Sequence, residues 1–232
     1  MAHTDNNSSA NDEANDKEKV SLIKSQEHRR RGIYILPNLF TTAALFAGFY
    51  AMVQAMNGNF AAAPLAIYIA MVMDGLDGRV ARWTNTESDF GAEYDSLADM
   101  VSFGIAPALI MYEWALSGLG KVGWLAAFIY VCGAALRLAR FNTKLDTVDK
   151  HYFYGLPSPA AAAVVMGFIW VLHSYGVPGK EISLLALGVT LSTGILMVSN
   201  IPYRSFKDLN VKGRVSFVAI LAIPAAFVLV FL

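Results

Sequence analysis

An all-α fold that crosses a membrane several times is what three features of the chain predict. Hydrophobic residues make up 56% of its 232 residues and charged residues only 16%, whereas soluble domains are about a quarter charged. The apolar residues gather into seven stretches, each near the ~20 residues a helix needs to cross a bilayer. Finally, Lys and Arg fall almost entirely on one side of those stretches.

The stretches cover residues 33–56, 60–83, 93–117, 122–140, 158–177, 182–200 and 215–232. Acidic and polar residues interrupt the join between the second and third. The seventh runs to Leu232 with no polar tail, which leaves room for an eighth beyond it. With the N-terminus cytoplasmic, sixteen of the 18 Lys and Arg lie on the inside, and only Lys121 and Lys180 lie outside. That asymmetry predicts a multi-pass inner-membrane protein whose acidic join faces the cytoplasm.

Two regions are expected. Residues 1–31 are rich in Asn, Asp, Ser, Lys and Glu and close on Arg29-Arg30-Arg31. Such a segment buries too little apolar surface to fold alone, and it reads as a disordered tail. Its polar start and late apolar run do not fit a signal peptide. Residues 32–232 form the membrane domain. Cys132 is the single cysteine, which excludes an intrachain disulfide and every multi-cysteine metal motif.

The chemistry concentrates between the second and third spans. There the chain reads Asp74-Gly-Leu-Asp77-Gly78-Arg79-Val-Ala81-Arg82, followed by Gly91-Ala-Glu-Tyr-Asp95-Ser-Leu-Ala-Asp99. On a helix, Asp74, Asp77, Gly78 and Ala81 share one face, and Gly91, Asp95 and Asp99 share another. A short connection lets the two helices pack side by side and gathers four carboxylates. Gly78, Ala81 and Gly91 leave those faces free of bulk, so a ligand or a neighbouring helix can approach.

Four carboxylates in an apolar frame need a compensating cation. All-oxygen ligation suits Mg²⁺ or Mn²⁺, which pair a few carboxylates with substrate phosphate. Two such ions ~3.5–4 Å apart can clamp the entering and leaving oxygens of a phosphoryl transfer. Asp74 lies roughly 13 Å before the end of its span at 1.5 Å per residue. That depth sits just below the interface, where lipid phosphates lie.

The spacing D-x2-D-G-x2-A-R-x8-G-x3-D-x3-D resembles the signature of the CDP-alcohol phosphotransferase family at every fixed position. The resemblance implies that Asp74, Asp77 and Asp95 bind metal, and that Asp99 joins the metal site and acts as the base. It also implies that Asp74, Gly78, Ala81, Arg82 and Gly91 belong to the CDP-binding part. Residues from about 35 to 160 further resemble the integral-membrane phosphatidylserine synthase branch. The matching stretches are Pro37-Asn38-Leu-Phe-Thr41-Thr42, Asp95 to Gly104, Ala135 to Asn142, and Gly155-Leu-Pro157-Ser-Pro159. That branch implies CDP-diacylglycerol and L-serine as substrates, CMP as a product, and a homodimer in membrane lipid.

A serine acceptor needs a cation for its carboxylate, and guanidinium meets carboxylate bidentately. Arg137 and Arg140 close the fourth span on one face, level with the aspartates. Arg140, the shallower, is the first choice, with Asn142 and the Gly155–Pro157 loop closing over the acceptor. Both arginines equally fit simple anchors that snorkel to headgroups. Thr41 and Thr42 are candidates to touch the nucleotide, although Thr also serves helix contacts. Glu93 lies near enough to join the acidic site.

Competing readings are the same transfer to glycerol phosphate or an inositol, a transporter with an acidic ion relay, a scaffold, and carboxylates paired with Arg79 and Arg82. Neither His3, His28, His151 nor His173 pairs with another histidine at metal-ligand spacing. The basic stretch from Arg204 to Arg214 reads as an anionic-lipid contact, and nothing in it points to nucleic acid.

Overall fold

The computed structural model describes residues 37–84, 86, 88–143, 152–200 and 202–204. The polar tail, the stretch 215–232 and most of the basic segment before it lie outside the described residues. Within them the fold is all-α apart from two short strands. Helix α1 spans Pro37–Met56, α2 Ala62–Thr84, α3 Asp89–Leu119, α4 Lys121–Thr143, α5 Ser158–Ser174 and α6 Gly179–Val198.

Helices thus lie at each of the first six predicted stretches. By length and composition α1, α3, α4 and α6 can cross a membrane. Helix α5 has 17 residues, and the second half of α2 carries the charges that interrupt its apolar run. Strands β1 (Tyr152–Tyr154) and β2 (Pro202–Arg204) pair antiparallel, with Phe153 opposite Tyr203. Neither three-residue segment carries a strand pattern by itself, so the pairing is not legible in the sequence.

Local chemistry sets the helix ends. Asn59 Oδ1 accepts from the Ala62 N–H and caps α2 at 3.2 Å. Gly155 adopts φ +83°, and a Cβ there would meet the Met197 carbonyl. Only glycine fits that turn, and the next residue, Leu156, donates its N–H to Leu196 O at 3.0 Å.

Small residues make up much of the packed interior. Alanines fill the interior, among them Ala51, Ala70, Ala106, Ala134 and Ala161, while Phe46, Phe128, Leu136, Leu184 and Ile195 point outward. In lipid, large apolar side chains lose nothing by facing out, and small ones let backbones approach closely. Helices α4 and α6 cross where Gly133 meets the Gly194 backbone and Gly194 meets Tyr130.

Helix α3 is not uniformly α-helical. It widens to π over Met100–Ile105, returns to α over Ala106–Met111, and widens again over Tyr112–Leu116. Pro107 has no N–H, so the Phe103 carbonyl loses its ordinary α-helical donor. The buried Tyr130 hydroxyl donates to that carbonyl at 3.1 Å. Ser102, in the same segment, donates to Ala44 O of α1 at 3.1 Å.

Candidate active site

The acidic motif folds where α2 ends and α3 begins. Thr84 Oγ1 donates to Val80 O at 2.7 Å, and the Thr86 N–H donates to Ala81 O at 3.0 Å, so the chain stays close as it leaves α2. Ser88 then caps α3, its Oγ accepting from the Gly91 N–H at 3.1 Å. These two devices turn the chain through a four-residue join and bring the motif's two halves face to face.

Three carboxylates converge. One oxygen from each of Asp74, Asp95 and Asp99 lies within 4.8 Å of the others. Asp77 stands beside them, facing Asp95, and its Oδ2 accepts from Thr41 Oγ1 at 2.8 Å. Asp95 Oδ1 is buried without a hydrogen-bond partner. A buried anionic oxygen in that condition is costly unless a cation meets it. An all-carboxylate donor set with one orphaned oxygen fits a hard divalent ion.

A cavity of about 420 Å³ opens beside the cluster. Asp77 and Asp95 are part of its lining, together with Thr41, Gly78, Ala81, Arg82 and Gly91. Asp74 belongs to the carboxylate cluster rather than to the cavity lining. At Gly78 a Cβ would meet nothing within 4 Å, so the missing side chain is open cavity space. At Gly91 a Cβ would lie 3.1 Å from Ser88 Oγ and 3.7 Å from Asn38 Oδ1.

Several lining residues were not singled out as site residues from sequence: Pro37, Asn38, Thr86, Ser88, Asp89 and Ala92. A signal existed for two of them. Asn38 sits within one turn of Thr41, and a Ser three residues before Gly91 matches an N-cap.

The arginines diverge. Arg137 is half-buried, donates to Ser158 Oγ at 2.9 Å and feels the Asp99 charge across the α3–α4 contact. Arg140 turns to the end of α6, donating to Asn200 Oδ1 at 3.0 Å and Val198 O at 3.4 Å. Asn142 Nδ2 donates to Ser96 Oγ at 3.1 Å, tying α4 to the residue after Asp95. Thr42 points to Tyr94, hydroxyl to hydroxyl at 2.9 Å. Glu93 is exposed and outside the carboxylate cluster. His173 packs edge-on against Phe60 with ring centroids 6.2 Å apart, while His3, His28 and His151 lie outside the described residues.

Comparison with known proteins agrees with this geometry. Residues 34–200 match the profile of the CDP-alcohol phosphatidyltransferase family. A CDP-diacylglycerol–serine O-phosphatidyltransferase of Helicobacter pylori is 39% identical over 196 residues, covering 84% of this chain and 83% of the relative. Its namesake in Mycobacterium leprae is 38% identical over 213 residues, 88% of this chain and 70% of the relative. That of Bacillus subtilis is 36% identical over 175 residues, 74% of this chain and 91% of the relative. With the family profile covering both the four aspartates and the cavity that they border, the chain belongs to the CDP-alcohol phosphatidyltransferase family.

Proposed function

We propose that the protein transfers the phosphatidyl group from CDP-diacylglycerol to L-serine, giving phosphatidylserine and CMP. The observation that carries this reading is the convergence of Asp74, Asp95 and Asp99 beside a cavity in the α2–α3 join. The relatives named for the serine reaction, which this chain matches over most of its length, support the acceptor.

Each residue has a task in that reaction. Asp99 takes the proton of the serine hydroxyl as the oxygen attacks the lipid-linked phosphorus. The bond from that phosphorus to the CMP oxygen breaks, and CMP leaves. Asp74, Asp77, Asp95 and Asp99 would hold Mg²⁺ or Mn²⁺, which when bound supplies positive charge against the phosphates. Gly78, Ala81 and Gly91 give the CDP moiety room, and Arg82 and Thr41 stand at the cavity wall. No Ser, Cys or His arrangement in the motif supports a covalent intermediate.

For the acceptor, the hydrogen-bonding pattern favours Arg137. Its guanidinium is within electrostatic reach of Asp99, so a serine carboxylate held there would bring the hydroxyl toward the base. Arg140 is engaged with the end of α6 and Asn142 with Ser96, so both support the acceptor side by fixing α4. Seven spans, a cytoplasm-facing site and a homodimer complete the proposal; the positive-inside asymmetry supports the first two.

The test is turnover of CDP-diacylglycerol micelles with radiolabelled serine, glycerol 3-phosphate and inositol. Serine is expected to be the acceptor, and preference for glycerol 3-phosphate would recast Arg137 as a phosphate ligand. Activity is expected to vanish in chelator and return with Mg²⁺ or Mn²⁺. Full turnover after exhaustive chelation would remove the metal from the mechanism.

A further inference from the structure

Helix α1 contributes no carboxylate, yet three of its residues reach the acidic helices. Ala44 O accepts from Ser102 in the widened part of α3, and Thr42 meets Tyr94. The third link is the most buried. Thr41 is 3% exposed and Asp77 6% exposed, and the hydroxyl lies 2.8 Å from Asp77 Oδ2. The same hydroxyl is 3.2 Å from Pro37 O, one turn back on its own helix. Its single proton is therefore held between a carbonyl and a carboxylate, with the shorter contact to the carboxylate.

Burial leaves Thr41 little surface to offer a ligand, and its hydroxyl is already engaged. Asp77, in contrast, has one oxygen on Thr41 and presents its carboxylate to Asp95. A rotation of the Asp77 side chain would break the Thr41 contact and turn the carboxylate away from the cluster. We propose that Thr41 is a positioning residue, which acts by fixing the Asp77 carboxylate toward the metal-binding cluster and not by touching the nucleotide. This deepens the metal-dependent reading above and rests on it.

Groups that orient a metal-binding carboxylate typically change metal affinity by about 10–100-fold when removed. The experiment is titration of the purified full-length protein with Mn²⁺ in detergent, read by the loss of the free-ion electron paramagnetic resonance signal, with no nucleotide present. Thr41→Val keeps the volume and removes the hydroxyl, and it is expected to weaken Mn²⁺ binding about tenfold. Thr41→Ser restores the donor and is expected to bind close to wild type. Thr41→Ala is the second hydroxyl-free variant, for use where valine disturbs folding, and is expected to match the Val result.

Unchanged Mn²⁺ affinity in the hydroxyl-free variants, together with a raised KM for CDP-diacylglycerol, overturns the proposal and makes Thr41 a nucleotide contact. Binding by Thr41→Ser as weak as by Thr41→Ala also overturns it, since the hydroxyl would then not be the cause. Failure of the wild-type protein to bind Mn²⁺ refutes the metal reading itself, a distinct outcome.

Discussion

At the scale of single residues, position on a helix face decides function more than residue type does. Asp99 and Asp95 are four apart and both converge on Asp74, while Asp77, one turn on from Asp74, is held by Thr41 instead. Replacing Asp99 with Asn keeps an oxygen and removes the base, so kcat is expected to fall ~10²–10⁴-fold. Single-turnover kinetics with CDP-lipid bound beforehand will measure it, and near wild-type turnover would exclude Asp99 as the base. Gly78 makes the opposite kind of prediction. Its absent side chain is cavity, and glycine is a poor helix former. Gly78→Leu is therefore expected to preserve or raise thermal stability by up to about 1 kcal/mol, while sharply raising the KM for CDP-diacylglycerol. A loss of both folding and binding would show that Gly78 is needed for packing instead. The two arginines show the limit of reading residues from sequence. Arg137 and Arg140 share a face, but the acceptors waiting at Ser158 and Asn200 send the two side chains to different partners.

At the scale of elements, the most consequential departure from a regular helix is the π segment directly after Asp99. Pro107 removes a donor, and Tyr130, brought in from α4, replaces it on the Phe103 carbonyl. Tyr130→Phe would leave that buried carbonyl short of its donor, at a cost of about 1–3 kcal/mol. Thermal unfolding in detergent will register the loss, and an unchanged midpoint would mean that the carbonyl finds another donor. Gly194→Val should be worse, because its added bulk meets the Tyr130 backbone at the α4–α6 crossing. The acidic motif was legible in the sequence because its periodicity lies within two helices, where spacings of three and four translate directly into a shared face. The π widening was not, since Pro107 alone permits a kink, a break or a bulge, and the choice depends on Tyr130 from another helix. The β1–β2 pairing was hidden for the same reason: each strand gains its partner from a distant loop.

At the scale of the whole molecule, the described residues are distributed as in a bundle solvated by lipid, with many alanines inside and many large apolar side chains exposed on the outer faces. Orientation is tested by labelling. With Cys132 replaced by Ala, a cysteine at Asn85 in the α2–α3 join is expected to react only from the cytoplasmic side. One at Gly118, near the opposite end of α3, is expected to react only from outside; reversed labelling would invert the topology. The cavity also opens at one end of the bundle, where Thr86, Ser88 and Asp89 line it between the end of α2 and the start of α3. A lipid whose headgroup is joined in a cavity opening at that end is expected to enter the leaflet on that side. Every molecule produced therefore adds area to a single monolayer, and the opposite monolayer can keep pace only if lipid is carried across by some other route. A cavity that opens at one end of the bundle thus makes membrane growth one-sided at its source.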